Sequence, residues 1–233
     1  MSAHLAKPAS TTPPRQLLRN EAYLKIKHMI LSGESAPGSS LSERQLADRL
    51  EMSKTPIRMA LERLDSEGLV AISPQQGVFV RELSIHEILD LFEIRLVLET
   101  YTVRALTGRV TTPQREEIEQ LLEQQRLAAI AEDIDRSVTL DLEFHLCFCR
   151  ALGNQEILRV INQLRDKMLI VFTRHMQRNP SRMVANQAEH VAIAEGVFSG
   201  DKDRAAELMR RHLEYGRNFM MSFRHDEQQV ADQ

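Results

Sequence analysis

The sequence has no tryptophan, only 5% aromatic residues and just nine glycines in 233 residues. With 42% hydrophobic and 27% charged residues, that excludes a collagenous or disordered chain and fits a helix-rich globular protein. Long apolar runs are also missing. The run Leu69–Val80 lacks Asp, Glu, Lys and Arg, but it contains Pro, two Gln and Gly, and no stretch approaches the roughly 20 apolar residues of a membrane span. The opening residues 1–15, MSAHLAKPASTTPPR, carry no apolar core of a signal peptide. There are two cysteines, Cys147 and Cys149, too close along one helical segment to staple a framework, so the sequence reads as cytosolic, with no membrane partner.

The formal net charge of −3 hides an asymmetry. Residues 1–83 carry 11 Lys and Arg against 9 Asp and Glu, whereas residues 84–233 carry 19 against 24. A slightly basic head on an acidic body has the sign expected of a nucleic-acid-binding module joined to another domain. At roughly 100–200 residues per domain, the length allows two modest domains.

Residues 1–15, rich in Pro, Ser, Thr and Ala, read as a disordered tail, and 226–233 as a second tail. From Glu21, the positions Tyr23, Ile26, Met29 and Ile30 mark a helix that ends near Ser32–Gly33. Ser42 caps a short helix 43–50, with Gln45 as its capping-box partner, and Ser53 caps a third over 55–67 that stops at Gly68. Two β-rich runs, 69–73 and 78–80, flank Pro74–Gly77 as a hairpin. Residues 16–82 therefore read as three helices and a two-stranded wing. Helices follow near 85–108, 113–131, 135–152, 155–177, 181–199 and 201–223, joined by short Gly, Pro or Asn breaks. The expected fold class is mainly α: an N-terminal winged helix-turn-helix, then an all-α antiparallel bundle over 84–225.

In a helix-turn-helix the second helix enters the major groove and its N-terminal residues reach base edges. Here that N-terminus offers Ser53, Lys54, Thr55 and Arg58, while Ile57, Leu61 and Leu64 face the domain. Arg58 can present its fork to guanine, Ser53 and Thr55 can bond phosphates, and Arg44 is placed for the backbone or groove edge.

The bundle carries an unusual polar set. Val138, Asp141, His145, Phe148 and Leu152 share one helical stripe; so do Met183, His190, Ile193 and Val197, and again Leu208, His212, Tyr215 and Phe219. Three histidines and one aspartate thus point inward from three helices. A single divalent ion held by Asp141, His145, His190 and His212 satisfies all four at once. His28, His86, His175 and His225 lie outside these stripes, His4 is in the tail, and Cys149 reads as packing rather than as a ligand. Glu143 and Glu189 adjoin ligand positions but are expected to point off the stripes.

The segment from Ala22 to Val80 resembles the winged helix of the GntR family of transcriptional regulators. The resemblance rests on Pro37–Gly38 before Leu41, Ser42–Glu43–Arg44, the string Ser53 to Leu64, Glu67–Gly68–Leu69 and the wing Gly77. It implies DNA contacts at Arg44, Lys54 and Arg58 and a wing around Gly77 near the minor groove. Lys54 stands where the family usually has Arg, and Met59 where it usually has an acidic residue; a lysine is a rotatable point charge instead of a fork. The second domain looks like the FCD effector domain of the FadR-type branch, in a shorter six-helix variant. The matching residues are Phe92–Glu93–Ile94–Arg95 with Glu99, Asp141 to His145, Gly153–Asn154, Glu189–His190, Gly200–Asp201 and His212–Leu213. The resemblance implies a divalent metal, zinc or else manganese or nickel, on Asp141, His145, His190 and His212, with a small organic acid beside it. It also implies that Arg95 faces that pocket, although Arg95 at i, i+4 from Glu99 equally fits an intrahelical pair.

The expected function is a repressor-type, homodimeric regulator of a pseudo-palindromic DNA operator, controlled by a small carboxylic acid. The rival readings are a metal-dependent hydrolase and a constitutive repressor with a structural metal.

Overall fold

A computed structural model describes residues 15–231 and divides the chain into two compact units that meet between Arg81 and Glu82. The sequence places this boundary at residues 82–84. Among the described residues no helix is long and apolar enough to cross a membrane.

The first unit contains α1 (Arg15–Leu31), β1 (Ser40–Leu41), α2 (Glu43–Arg49), α3 (Lys54–Ser66), β2 (Val70–Ser73) and β3 (Gly77–Val80). Residues 1–14 of the expected tail lie outside the described residues, and Arg15 already belongs to α1. Tyr23, Ile26, Met29 and Ile30 of α1 and Ile57, Leu61 and Leu64 of α3, the apolar positions read from the sequence, are all buried, and Ala22 and Ala60 are buried with them. The three strands form an antiparallel sheet in the order β1-β3-β2. Ser73 pairs with Gly77 across the wing tip, and Gly77 adopts φ +95°, a torsion that favours glycine. β1 was not expected from sequence. Its two residues, paired as Ser40 to Phe79 and Leu41 to Val78, are too short to show an alternating pattern.

Both helices of the motif start at the expected serines, but by different means. Ser42 accepts the backbone N–H of Gln45 at 3.4 Å. Ser53 holds the extended cap backbone, yet its hydroxyl makes no capping bond, which corrects the sequence reading.

The second unit is six helices: α4 (Ile85–Leu106), α5 (Thr112–Ile130), α6 (Ile134–Leu152), α7 (Gln155–Arg178), α8 (Arg182–Ser199) and α9 (Lys202–Ala231). α9 continues to Ala231, past the residue 226 at which the sequence reading starts a tail. Reciprocal capping between Ser84 and Glu87 fixes the start of α4, and Asn154 caps α7 through Glu156 and Ile157.

Along with a smaller one around Leu146, two large apolar clusters fill the bundle. One gathers Val103, Phe144, Phe148, Ile193, Val197 and Leu213, and the other Phe92, Val138, Phe172, Met183 and Met220. α4 and α8 each contribute to the first cluster from one part of their length and to the second from another, and on α6 the two contributions interleave from Val138 to Phe144. Between these contributions lie Arg95 and Glu99 on α4, Asp141 on α6 and His190 on α8, all buried. On each of these helices the polar residues therefore lie between side chains of the two clusters.

Candidate metal centre and nucleic-acid interface

Asp141 and His145 sit one turn apart on α6, His190 comes from α8 and His212 from α9, and all four are at most 7% exposed. One ligand atom from each lies within 4.8 Å of the others. His212 Nε2 is 3.3 Å from both His190 Nε2 and His145 Nε2, and His190 Nε2 is 3.5 Å from Asp141 Oδ1.

The far side of each ring fixes its tautomer. Glu189 accepts from His212 Nδ1 at 2.6 Å and Glu99 lies 2.5 Å from His145 Nδ1. Burial alone would raise both carboxyls, but Arg95 and His145 hold Glu99 down to about 2, and His212 and Arg182 hold Glu189 down to about 2. Ionised carboxylates only accept, so Nδ1 of His212 carries hydrogen, and the close contact with Glu99 favours the same tautomer for His145 although the two atoms are not aligned as a hydrogen bond. Gln125 donates its amide to the Leu140 carbonyl at 2.9 Å, which turns its oxygen toward His190 Nδ1, also at 2.9 Å. All three neutral rings thus aim an Nε2 lone pair at one point beside a carboxylate. The ring of His190 is further fixed by stacking on Phe144, with centroids 4.0 Å apart.

Lone pairs facing one another at 3.3 Å repel unless a cation lies among them. Protons are poor candidates for that cation. Burial pushes His190 well below the usual histidine value, with His212 and His145 adding to the effect. Burial also lowers His145 and His212 despite the carboxylates behind them, and it raises Asp141. The donor set, three imidazole nitrogens backed by hydrogen-bond acceptors and one carboxylate, fits a divalent transition metal.

Sequence reasoning missed most of this outer layer. The sequence marks Glu99 as part of the FCD resemblance and as a partner of Arg95 but not as the residue behind His145, and it gives no role to Gln125, Asn186 or Arg182. The i, i+4 spacing of Arg95 and Glu99 was the available signal; a lone Gln125 on α5 offered none. Glu189 corrects an expectation, since it turns toward His212 and is clamped by both terminal nitrogens of Arg182 at 2.6 and 2.7 Å. Glu143 does point away, pairing with Arg150 at 2.7 Å. Tyr215 is also corrected: it is 51% exposed and lies against Arg182, while the inward face of α9 is Met209, His212, Leu213 and Met220. Cys149 is buried with Leu146, Ile157 and Ile161, which pushes its thiol up to about 12 and leaves it a packing residue.

Arg95 combines both sequence alternatives. Its Nε donates to Glu99 at 2.6 Å, and its Nη2 is buried without a partner. It borders a solvent-open pocket that also touches Asp141, Arg182, Asn186 and His212.

In the first unit, Arg44, Ser53, Lys54, Thr55, Arg58 and Gly77 are all exposed. Lys54 opens α3 and Arg58 follows one turn later, while Arg44 lies in the first turn of α2. Arg58 bonds Glu43 at 3.2 Å through a pair in which the arginine side chain is 62% exposed. A pair that wet is worth little and leaves the fork free to exchange partners.

Residues 18–80 match the bacterial regulatory proteins of the gntR family, and residues 90–215 match the FCD domain. The chain is 28% identical over 204 residues to the HTH-type transcriptional repressor RspR of Escherichia coli strain K12, covering 86% of this chain and 88% of that one. It is 30% identical over 195 residues to an HTH-type transcriptional regulator of Streptomyces ambofaciens, covering 84% and 81%. In fold it is similar to a solved GntR regulator from Rhodococcus sp. RHA1, with a TM-score of 0.79 over 88% of this chain and 97% of that chain at 22% identity. The winged helix and the six-helix bundle thus belong to one architecture, and the chain is a member of the GntR family of DNA-binding transcriptional regulators with an FCD domain.

Proposed function

We propose that the operator affinity of this regulator is set by a small carboxylic acid bound beside a divalent metal ion, with Asp141, His145, His190 and His212 as the metal ligands. The observation that carries this reading is the convergence of three Nε2 atoms whose tautomers are fixed from behind by Glu99, Gln125 and Glu189. Zinc suits three imidazoles and a carboxylate, and manganese or nickel are the alternatives. When bound, the ion supplies positive charge and open coordination positions to a carboxylate guest.

The chain's own residues do the rest. The buried Nη2 of Arg95 gains a charge-assisted bond when a carboxylate arrives, and leaving it bare costs about 1–3 kcal/mol. Arg95 also holds Glu99, which backs His145, so the guest and the metal ligands share one chain of contacts. A guest that binds one arrangement better than another shifts the population between them. α4, which carries Arg95 and Glu99, is the first element after β3 in the chain, separated from it by Arg81–Ser84.

Arg44, Ser53, Lys54, Thr55, Arg58 and Gly77 form the DNA-contacting set in this reading. A homodimer on a pseudo-palindromic operator in the cytoplasm completes it, with one helix-turn-helix per half-site. The outward stripe Ile94, Val97 and Tyr101 on α4, 40%, 67% and 56% exposed, supports contact with a second copy. The acidic side chains near the four ligand residues are engaged with Arg95, Arg150 or Arg182, which supports a sensor over a hydrolase.

The test is operator affinity, on a site selected from random DNA, with zinc-loaded protein and a panel of small acids. The reading expects at least a tenfold change with one acid, abolished by chelation and by Arg95→Ala. No response to any acid, with DNA binding unchanged on chelation, would sink it and leave a constitutive binder.

A further inference from the structure

The cavity beside Arg95 has walls of two kinds. Phe92, Phe172, Met176, Phe219 and Met220 make most of it hydrocarbon. The polar side chains at its edge are already committed to one another. Both terminal nitrogens of Arg182 hold Glu189, His212 Nδ1 donates to that same carboxylate, and Asn186 donates its amide to Asp141 at 3.1 Å. What remains unpartnered and buried at this cavity is one donor, Arg95 Nη2, and one acceptor, Asn186 Oδ1. Arg95 is itself only 3% exposed.

From this we infer that the guest is a monocarboxylic acid with a largely hydrocarbon body, aliphatic or aromatic, and not a polyhydroxylated sugar acid. The inference rests on the acid-sensor reading and narrows its ligand class. The carboxylate belongs at Arg95, whose guanidinium lies 5.7 Å from the Phe92 ring centre and 5.8 Å from that of Phe172. An acid seated there therefore sends its remaining atoms along aromatic and thioether surface. One hydroxyl or amino group finds Asn186 Oδ1. A neighbouring pocket that shares Asp141 and Asn186 adds the unpartnered Ser137 Oγ but no guanidinium. Open positions on an ion held by Asp141 and His212 would take some of the four or five hydroxyls of a sugar acid, and the others would be buried against Phe and Met without partners. In a hydrophobic pocket one added hydroxyl is rejected on the order of 100-fold, so a polyol is rejected at least that strongly.

The experiment is calorimetric binding of hexanoate, phenylacetate and gluconate to the full-length, zinc-loaded protein at several temperatures. Hexanoate or phenylacetate is expected to bind at least about 100-fold more tightly than gluconate, with a negative heat-capacity change that marks apolar burial. Phe219→Asn, at a half-buried wall position, is expected to weaken the hydrocarbon acid about tenfold while leaving gluconate unchanged. Gluconate binding tightest, in a manner lost in Arg95→Ala, would overturn the hydrocarbon assignment and leave the acid-sensor reading standing. If none of the three acids binds zinc-loaded protein, the hydrocarbon assignment falls, and the acid-sensor reading is decided separately by the operator-affinity panel.

Discussion

Glu189 precedes His190 in sequence, yet its carboxylate serves His212 on the next helix, accepting from Nδ1 at 2.6 Å. Two consecutive residues of α8 therefore do different work: His190 offers a lone pair to the centre, while its neighbour orients a second ring. Arg182, 5% exposed and stacked on Tyr215 at 3.9 Å, keeps Glu189 in place.

The outer layer is expected to tune the metal without touching it. Glu99→Gln and Glu189→Gln should each lower zinc affinity by about 10–100-fold, measured by competition with a chromogenic chelator. Glu143→Gln, on the surface pair with Arg150, should leave it unchanged. Equal affinities for all three would mean that Glu99 and Glu189 do not orient the rings.

On the DNA side, Lys54 and Arg58 differ in chemistry as well as position. Lys54→Ala should weaken operator and random DNA alike and reduce the salt slope by about one. Arg58→Ala should in addition cost about 1–3 kcal/mol of discrimination if its fork reads a guanine. Binding titrations on both DNAs at several salt concentrations decide this, and identical losses for the two variants would contradict it.

A pH effect is expected in the winged helix. Tyr23 donates to Glu67 at 2.8 Å, with Lys27 and Arg63 also bonded to that carboxylate. Burial works to raise Glu67, but these three partners outweigh it and hold the carboxyl below its usual value. A depressed folded-state value gives stability that is present above the unfolded value, about 4.3, and lost as pH falls through the lower folded one. Glu67→Gln should therefore lower the melting temperature at pH 7, and the gap from wild type should close below about pH 4. A gap independent of pH would point to packing instead of charge.

The stripe Ile94, Val97 and Tyr101 gives a test of assembly. Val97→Asp, at a position 67% exposed in the single chain, should shift sedimentation toward monomer and weaken operator binding while leaving the melting of the bundle intact. An unchanged dimer would place the interface elsewhere.

Much of this was legible in the sequence because periodicity carries it. Asp141, His145 and His190 fall on stripes with Val138, Phe148, Ile193 and Val197, and every one of these is buried. The wing was legible from Pro74 to Gly77, and the second helix of the motif from Ser53 and Gly68. The stripe on α9 was drawn too far round the helix, which placed Tyr215 inside. Its polar tip and the Arg182 side chain instead hold it at the surface, where an amphipathic ring is at home. Gln125 was illegible for a different reason: its role depends on the Leu140 carbonyl that orients its amide, a contact fifteen residues away. Spacing along one helix reports which face a residue occupies, and it says nothing about which ring on another helix that residue will meet.

The most direct test of the account is zinc titration of metal-free full-length protein, followed by calorimetry and melting. One ion per chain and a raised melting temperature are predicted, both lost in His190→Ala and in His212→Ala. Zinc that fails to bind, or that binds equally well to both variants, would contradict the assignment of Asp141, His145, His190 and His212 as a metal centre.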